Sequence, residues 1–222
     1  MMSQKHWSAV EAYIVDRLVS ADDTLADVLT ANAAAGLPAV AVSPPQGKLL
    51  HLIARVISAR FILEIGTLGG YSTIWLARAL PEGGKVVTLE VEPEHARVAR
   101  ANFARTGVGD RVDLRLGPAL ETLPRLAAER VCPFDLVFID ADKPHNPDYL
   151  QWAVRMARSG AVIIGDNVVR EGTVIDAHRA DPSVRGIRRF YDLLAEHPRL
   201  SATAIQTVGS KGWDGFALAV LD

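Results

Sequence analysis

A strict alternation of short apolar runs with amphipathic stretches constrains this chain more than any other feature of it. Strand-like runs fall at residues 61–65, 85–91, 111–116, 134–140 and 161–165. Between them, helical spacing occupies 71–80, 93–106, 119–128 and 147–158. Strands this short and apolar are those that helices cover on both faces. Strands that alternate with helices build a parallel, doubly wound sheet, because each parallel step needs a crossover.

The two ends depart from that rhythm. Near the start, Val10, Tyr13, Ile14 and Leu18 share one helical face, and a second helix follows Asp22-Asp23 and stops before Gly36 and Pro38. These two helices are expected to cover the site or to build a contact between subunits. Ser43-Pro44 reads as the cap and first residue of a third helix, with Leu49, Leu50, Ile53, Ala54 and Ile57 on its apolar side. Near the other end, Asp181-Pro182 opens a helix with Ile187, Phe190, Tyr191 and Leu194 on one face. Strands at 203–208 and 215–221 then follow with only Gly209-Ser210-Lys211-Gly212-Trp213-Asp214 between them. That connection is too short for a crossover, so this pair must be antiparallel. The expected architecture is α/β: a seven-stranded, mostly parallel sheet with an antiparallel C-terminal hairpin, helices on both faces and extra N-terminal helices. The 222 residues fit one domain, with 1–42 as a helical cap and 43–222 as the core.

Charge excludes some partners. The net charge is -2 and the arginines are dispersed, so nothing draws the chain to nucleic acid. No run approaches the ~20 apolar residues of a membrane span. The first twenty residues mix charged and apolar side chains, unlike a signal peptide. A lone cysteine, Cys132, cannot form an internal disulfide and reads as a structural thiol in a reducing compartment, so the cytoplasm is the expected location.

In open parallel sheets, ligands bind beyond the carboxyl ends of the strands, near the switch in strand order. The first strand runs into Glu64-Ile65-Gly66-Thr67-Leu68-Gly69-Gly70-Tyr71-Ser72. Its glycines permit a tight turn and a close ligand, but the spacing is not the G-x-G-x-x-G of nicotinamide enzymes. The second strand ends at Glu90, whose carboxylate can accept from both hydroxyls of a ribose.

The fourth strand ends in Asp140 and the fifth in Asp166-Asn167. Neighbouring parallel strands lie ~5 Å apart, so these ends can converge on one ion. Two carboxylates and an amide oxygen suit Mg²⁺ or another hard divalent cation. The six histidines are scattered and offer no zinc set. Lys143, just before Pro144, lies in a short stiff loop beside that set, and Asn146-Pro147 reads as the cap and first residue of the next helix.

These motifs resemble, as a set, the catechol and caffeoyl-CoA O-methyltransferase family, in its bacterial branch. The resemblance rests on Glu64 to Ser72, Gly117-Pro118-Ala119, Asp140-Ala141-Asp142-Lys143 and Asp166-Asn167, and it spans the chain from about Val42 to Leu221. It implies a Rossmann-like class I methyltransferase fold, whose parallel sheet ends in such a hairpin. It implies S-adenosyl-L-methionine (SAM) as methyl donor, held by Val42, Glu64, Gly66, Thr67, Ser72, Glu90, Ala119 and Asp140. Lys143 is implied as general base, with Asp140 and Asn167 beside it in catalysis. The acceptor is implied to be a small phenol or catechol and the assembly a homodimer. Arg170 and Trp213 are candidates for the acceptor pocket. Arg170 stands where plant members carry an aromatic residue, and Pro144-His145 replaces an Asp-Asn pair, so a caffeoyl-CoA acceptor is not implied. Methyl transfer to another small acceptor, or SAM binding without catalysis, remain the alternatives.

Overall fold

A computed structural model describes residues 3–19, 22–131 and 133–222. Cys132 lies outside the described residues. The order of elements begins α1 (Gln4–Leu18), α2 (Asp23–Ala34), α3 (Pro44–Val56), β1 (Phe61–Ile65), α4 (Tyr71–Ala79), β2 (Lys85–Glu90) and α5 (Pro93–Arg105). It continues with β3 (Val112–Leu116), α6 (Ala119–Ala128), β4 (Phe134–Ile139), α7 (Asn146–Met156), β5 (Ala157–Asp166), α8 (Pro182–Glu196), β6 (Leu200–Gly209) and β7 (Gly212–Leu221).

Among the described residues the strands form one sheet in the order β3-β2-β1-β4-β5-β7-β6. The first five are parallel, β7 lies antiparallel to β5, and β6 pairs antiparallel with β7. Strand order reverses between β1 and β4, and there the carboxyl ends leave a crevice.

Period-two alternation divides each central strand between two cores. Ile62, Val86, Leu136 and Phe138 face α3, α4 and α5, packing with Leu50, Ala54, Ile74 and Phe103. Their neighbours Leu63, Val87, Val137 and Ile139 face α6, α7 and α8, packing with Leu123, Leu126, Leu150, Ile187 and Phe190.

The expected start of α3 is realised: Ser43 is the cap and accepts a hydrogen bond from the Gln46 amide. Asp181 likewise caps α8 through the Ser183 amide. Asn146 departs from expectation. A 3₁₀ turn over Lys143–His145 runs directly into α7, so Asn146 is already helical and its side-chain amide is buried with no hydrogen-bond partner among the described residues. The strands at the hairpin also reach further than their apolar runs. Gly209 pairs with Gly212, and only Ser210 and Lys211 form the turn.

The α1 helix buries no residue, and its stripe of Val10, Tyr13, Ile14 and Leu18 is exposed. Polar contacts tie it to the hairpin tip: Gln4 donates to the Gly209 and Ser210 carbonyls, and Glu11 accepts from Ser210. No helix among the described residues is long and apolar enough to cross a membrane.

Candidate active site

The ladder of strand hydrogen bonds continues one residue past the strand ends. Gly66 N–H donates to the Leu89 carbonyl (3.0 Å), Asp140 N–H to Ile65 (2.8 Å) and Gly117 N–H to Glu90 (2.8 Å). The glycine turn, the end of β2, the start of α6 and the end of β4 therefore share one edge. They wall a cavity of about 740 Å³ lined by Val42, Gly66, Thr67, Ser72, Glu90, Ala119, Asp140 and Lys143 among others.

Glu90 is held by backbone. Its Oε2 accepts from the amides of Thr67 (3.3 Å) and Leu68 (2.7 Å), its Oε1 from Val91 (2.9 Å) and Glu92 (3.0 Å). A ligand hydroxyl that reaches Glu90 shares these oxygens with the turn that the carboxylate organises.

Glu64 lies beneath the cavity floor rather than on it. It is fully buried and accepts from Ser72 (2.6 Å), Thr88 (2.6 Å) and Thr73. Thr88 in turn meets the Thr67 hydroxyl at 2.6 Å. Glu64 thus fixes two residues that do line the cavity, Ser72 and Thr67. Burial pushes its carboxyl up to about 7, against the pull of the three hydroxyls. In the unfolded chain the same group titrates near 4.5. The folded form therefore holds more protons between these values, so its stability is full below that window and is lost as pH rises through 7, by up to roughly 3 kcal/mol. Glu64→Gln removes the titration but keeps an acceptor for the hydroxyls. The thermal midpoint of the unaltered chain should fall more between pH 5 and pH 8 than that of Glu64→Gln, and parallel profiles would refute this.

A second cavity, of about 350 Å³, opens beside the first and is lined by Asp166, Asn167 and the hairpin tip, with α1 above it. Val42 and Asn167 line both. At this shared corner β4 and β5 run side by side, with Ile139 level with Gly165. Asp140 therefore emerges next to Asp166, as expected from the strand ends. Asp166 is buried, and burial together with the facing Asp140 carboxylate pushes its carboxyl well above the usual range. Asn167 turns the chain in the left-handed region (φ 55°), which its residue type tolerates. Lys143 is 7 % exposed, and its Nζ donates to Asp140 Oδ1 at 2.9 Å. Among the described residues no group of three or more His, Cys, Asp or Glu side chains converges; the Asp140–Asp166–Asn167 set has two acids and an amide.

Two expected acceptor residues lie elsewhere. Neither Arg170 nor Trp213 lines either cavity. Trp213 alternates with Gly212 and Asp214 along β7, so its ring points away from them, lies over Gly172 and donates to Gln206 (3.0 Å). Arg170 sits in a loop pinned by Asp214, which accepts from the amides of Val169 and Arg170. Residues without a motif complete the walls. His95 lies 3.6 Å from Glu90, and Tyr149 donates to Asp142 at 2.6 Å, while Trp7, Glu11, Gln46, Lys211 and Phe216 line the second cavity. His95 is detectable in the sequence as the first-turn residue of the helix after β2; the second-cavity residues carry no local signal.

A family profile described as O-methyltransferase matches residues 17–219. The chain is 57% identical over 212 residues to a protein of Mycobacterium tuberculosis named catechol O-methyltransferase, covering 96% of this chain and 94% of that one. It is 47% identical over 220 residues to a protein of the same name from Niastella koreensis, covering 99% and 100%. The crystal structure of an O-methyltransferase from Bacillus cereus in complex with SAH superposes with a TM-score of 0.98 at 58% identity, covering 99% of this chain and all of the other. The crevice at the strand switch, with its glycine turn and its acids at neighbouring strand ends, is that of a Rossmann-like methyltransferase. The chain belongs to the O-methyltransferase family.

Proposed function

We propose that the chain transfers the methyl group of SAM to one oxygen of a small, catechol-like vicinal diol, with a hard divalent cation such as Mg²⁺ bound by Asp140, Asp166 and Asn167. One observation carries this reading. Asp140 and the Asp166–Asn167 pair leave adjacent strands at the corner where the two cavities meet, and the Lys143 ammonium lies on Asp140.

The donor set fits the ion. It offers hard oxygen ligands, and burial, together with the facing Asp140 carboxylate and against the pull of Lys143, raises the Asp166 carboxyl. When bound, such an ion acts as a Lewis acid that lowers the pKa of a chelated phenol. The chain's own residues do the rest. Lys143, as the neutral amine left once its ammonium proton has passed to water, takes the phenol proton, held in place by Asp140. The glycine turn, Glu90 and Ala119 hold the donor in the larger cavity, while the smaller cavity aligns the acceptor oxygen with the methyl group, so that positioning supplies much of the rate. SAH is what SAM becomes on losing its methyl, and its presence in the Bacillus cereus relative supports the choice of donor. The name of the Mycobacterium tuberculosis relative supports a catechol acceptor. A homodimer belongs to the same reading, and the exposed apolar side chains Tyr13 and Leu18 support it.

The test is methylation of catechol by labelled SAM with and without chelator. Turnover should vanish in excess EDTA and return with added Mg²⁺. Full activity in excess chelator would remove the metal from the reading, and no methylated catechol under either condition would remove the acceptor.

A further inference from the structure

The second cavity has hydrocarbon on most sides, from Trp7, Val10, Ile14, Leu49, Val208 and Phe216. Such walls suit an aromatic ring. Its charged groups are unevenly committed. Glu11 spends one oxygen on the Ser210 amide (3.0 Å) and the other on the Ser210 hydroxyl (2.5 Å). Asp214 accepts from three backbone amides, those of Val169, Arg170 and Gly215. Among the described residues Lys211 is the one cation in the lining, and it donates to a single acceptor, the Ala39 carbonyl at 3.0 Å. An ammonium has three donors, so two remain.

We propose that Lys211 selects acceptors whose diol ring carries an anionic substituent, a carboxylate, at the end away from the hydroxyls. The inference rests on the vicinal-diol reading above. A ring whose hydroxyls sit at Asp166 and Asn167 directs its far edge to the hairpin tip, and Lys211 is at that tip. Although the residue as a whole is exposed, burial on the cavity side lowers its ammonium from the usual value, against the pull of Glu11, Asp140 and Asp166. A partly desolvated cation gains from an anion brought to it. An ammonium-bearing substituent would meet this cation instead, and like charges repel.

The experiment compares kcat/KM of the full chain for 3,4-dihydroxybenzoate and for uncharged 4-methylcatechol, with Lys211→Met and Lys211→Arg beside the unaltered protein. A charged hydrogen bond is worth about ten- to a hundredfold, so Lys211→Met should lose that much on the benzoate, mostly in KM. It should lose less than about twofold on 4-methylcatechol, where no charge is met. Lys211→Arg should restore most of the loss, because it keeps the cation. Equal losses on both diols, or no loss on the benzoate, would overturn the proposal. If the unaltered chain methylates neither diol, the catechol reading fails and takes this one with it. If it methylates both irrespective of Lys211, only the selectivity is lost.

Discussion

Replacing Lys143 with methionine is expected to lower kcat by about 10²- to 10⁴-fold, the usual contribution of a positioned general base. Methionine keeps much of the side chain's length and apolar stem, so the buried loop is not emptied. Removing the ammonium leaves Asp140 without its 2.9 Å partner, but Asp140 retains its strand contact through the Ile65 carbonyl. SAM affinity should therefore change little, and calorimetry on the variant should give a dissociation constant within roughly fivefold of the original, under about 1 kcal/mol. Lys143→Arg separates two roles of the group. Arginine preserves the positive charge beside Asp140 but holds its proton at any working pH, so it cannot serve as a base. If Lys143 merely organises Asp140, the arginine variant should stay active; if it accepts the phenol proton, both variants should be equally slow. Near-normal kcat in the methionine variant would exclude Lys143 as base.

Much of this site was legible because it is built from strand ends. A parallel sheet brings the last residue of every strand to one edge, so Glu90, Asp140 and Asp166-Asn167 could be grouped from strand positions alone. What the linear pattern could not supply were groups brought in from far along the chain. Glu11 meets Ser210 across 199 positions, and nothing near either residue announces the contact. Trp213 shows how one residue of strand parity decides a role: its neighbours Gly212 and Asp214 line the cavity, and it does not. Its place in the motif groups Glu64 with the SAM ligands, yet its side chain points into the sheet and reaches the cavity through Ser72 and Thr67.

Element types follow the sequence where burial imposes a period, and boundaries drift from it where burial does not. The first residues of β5, Ala157 to Gly160, are polar or small and only partly covered, and they form strand because Ala157 pairs with Phe134 while Arg158 bonds Asp135. On β6, an edge strand, most side chains face solvent, so no alternation marks its first residues. At Asn146 a local cap signal lost to tertiary packing, because the turn from Lys143 leads straight into α7.

Gly66→Ala should be the most damaging single methyl group that can be added at the site. Gly66 has φ +102°, and a Cβ built there comes within 2.1 Å of the Asp140 carbonyl oxygen and 2.7 Å of its carbon. These are backbone atoms of the strand end that pairs with β1, so the clash is relieved only by parting β1 from β4. Left-handed backbone costs about 1–2 kcal/mol for a residue with a Cβ, and overpacking costs about 1–3 kcal/mol more. A loss of about 2–5 kcal/mol lies within the ~5–15 kcal/mol that holds a domain together and lowers the thermal midpoint by roughly 4–20 °C. Gly36→Ala supplies the comparison. Gly36 has φ +72° with nothing within 4 Å of its added Cβ, so it bears the backbone cost alone. The difference between the two variants isolates the contact with Asp140. That contact also carries function, because moving Asp140 disturbs the cavity wall and the partner of Lys143 together. At a hundredfold excess over its dissociation constant, SAM should add about 2.7 kcal/mol to the stability of the original chain and of Gly36→Ala. The same concentration should add almost nothing to Gly66→Ala. Were Gly66→Ala to melt with Gly36→Ala and gain as much from SAM, the approach of β1 to Asp140 would not be what shapes the cofactor site.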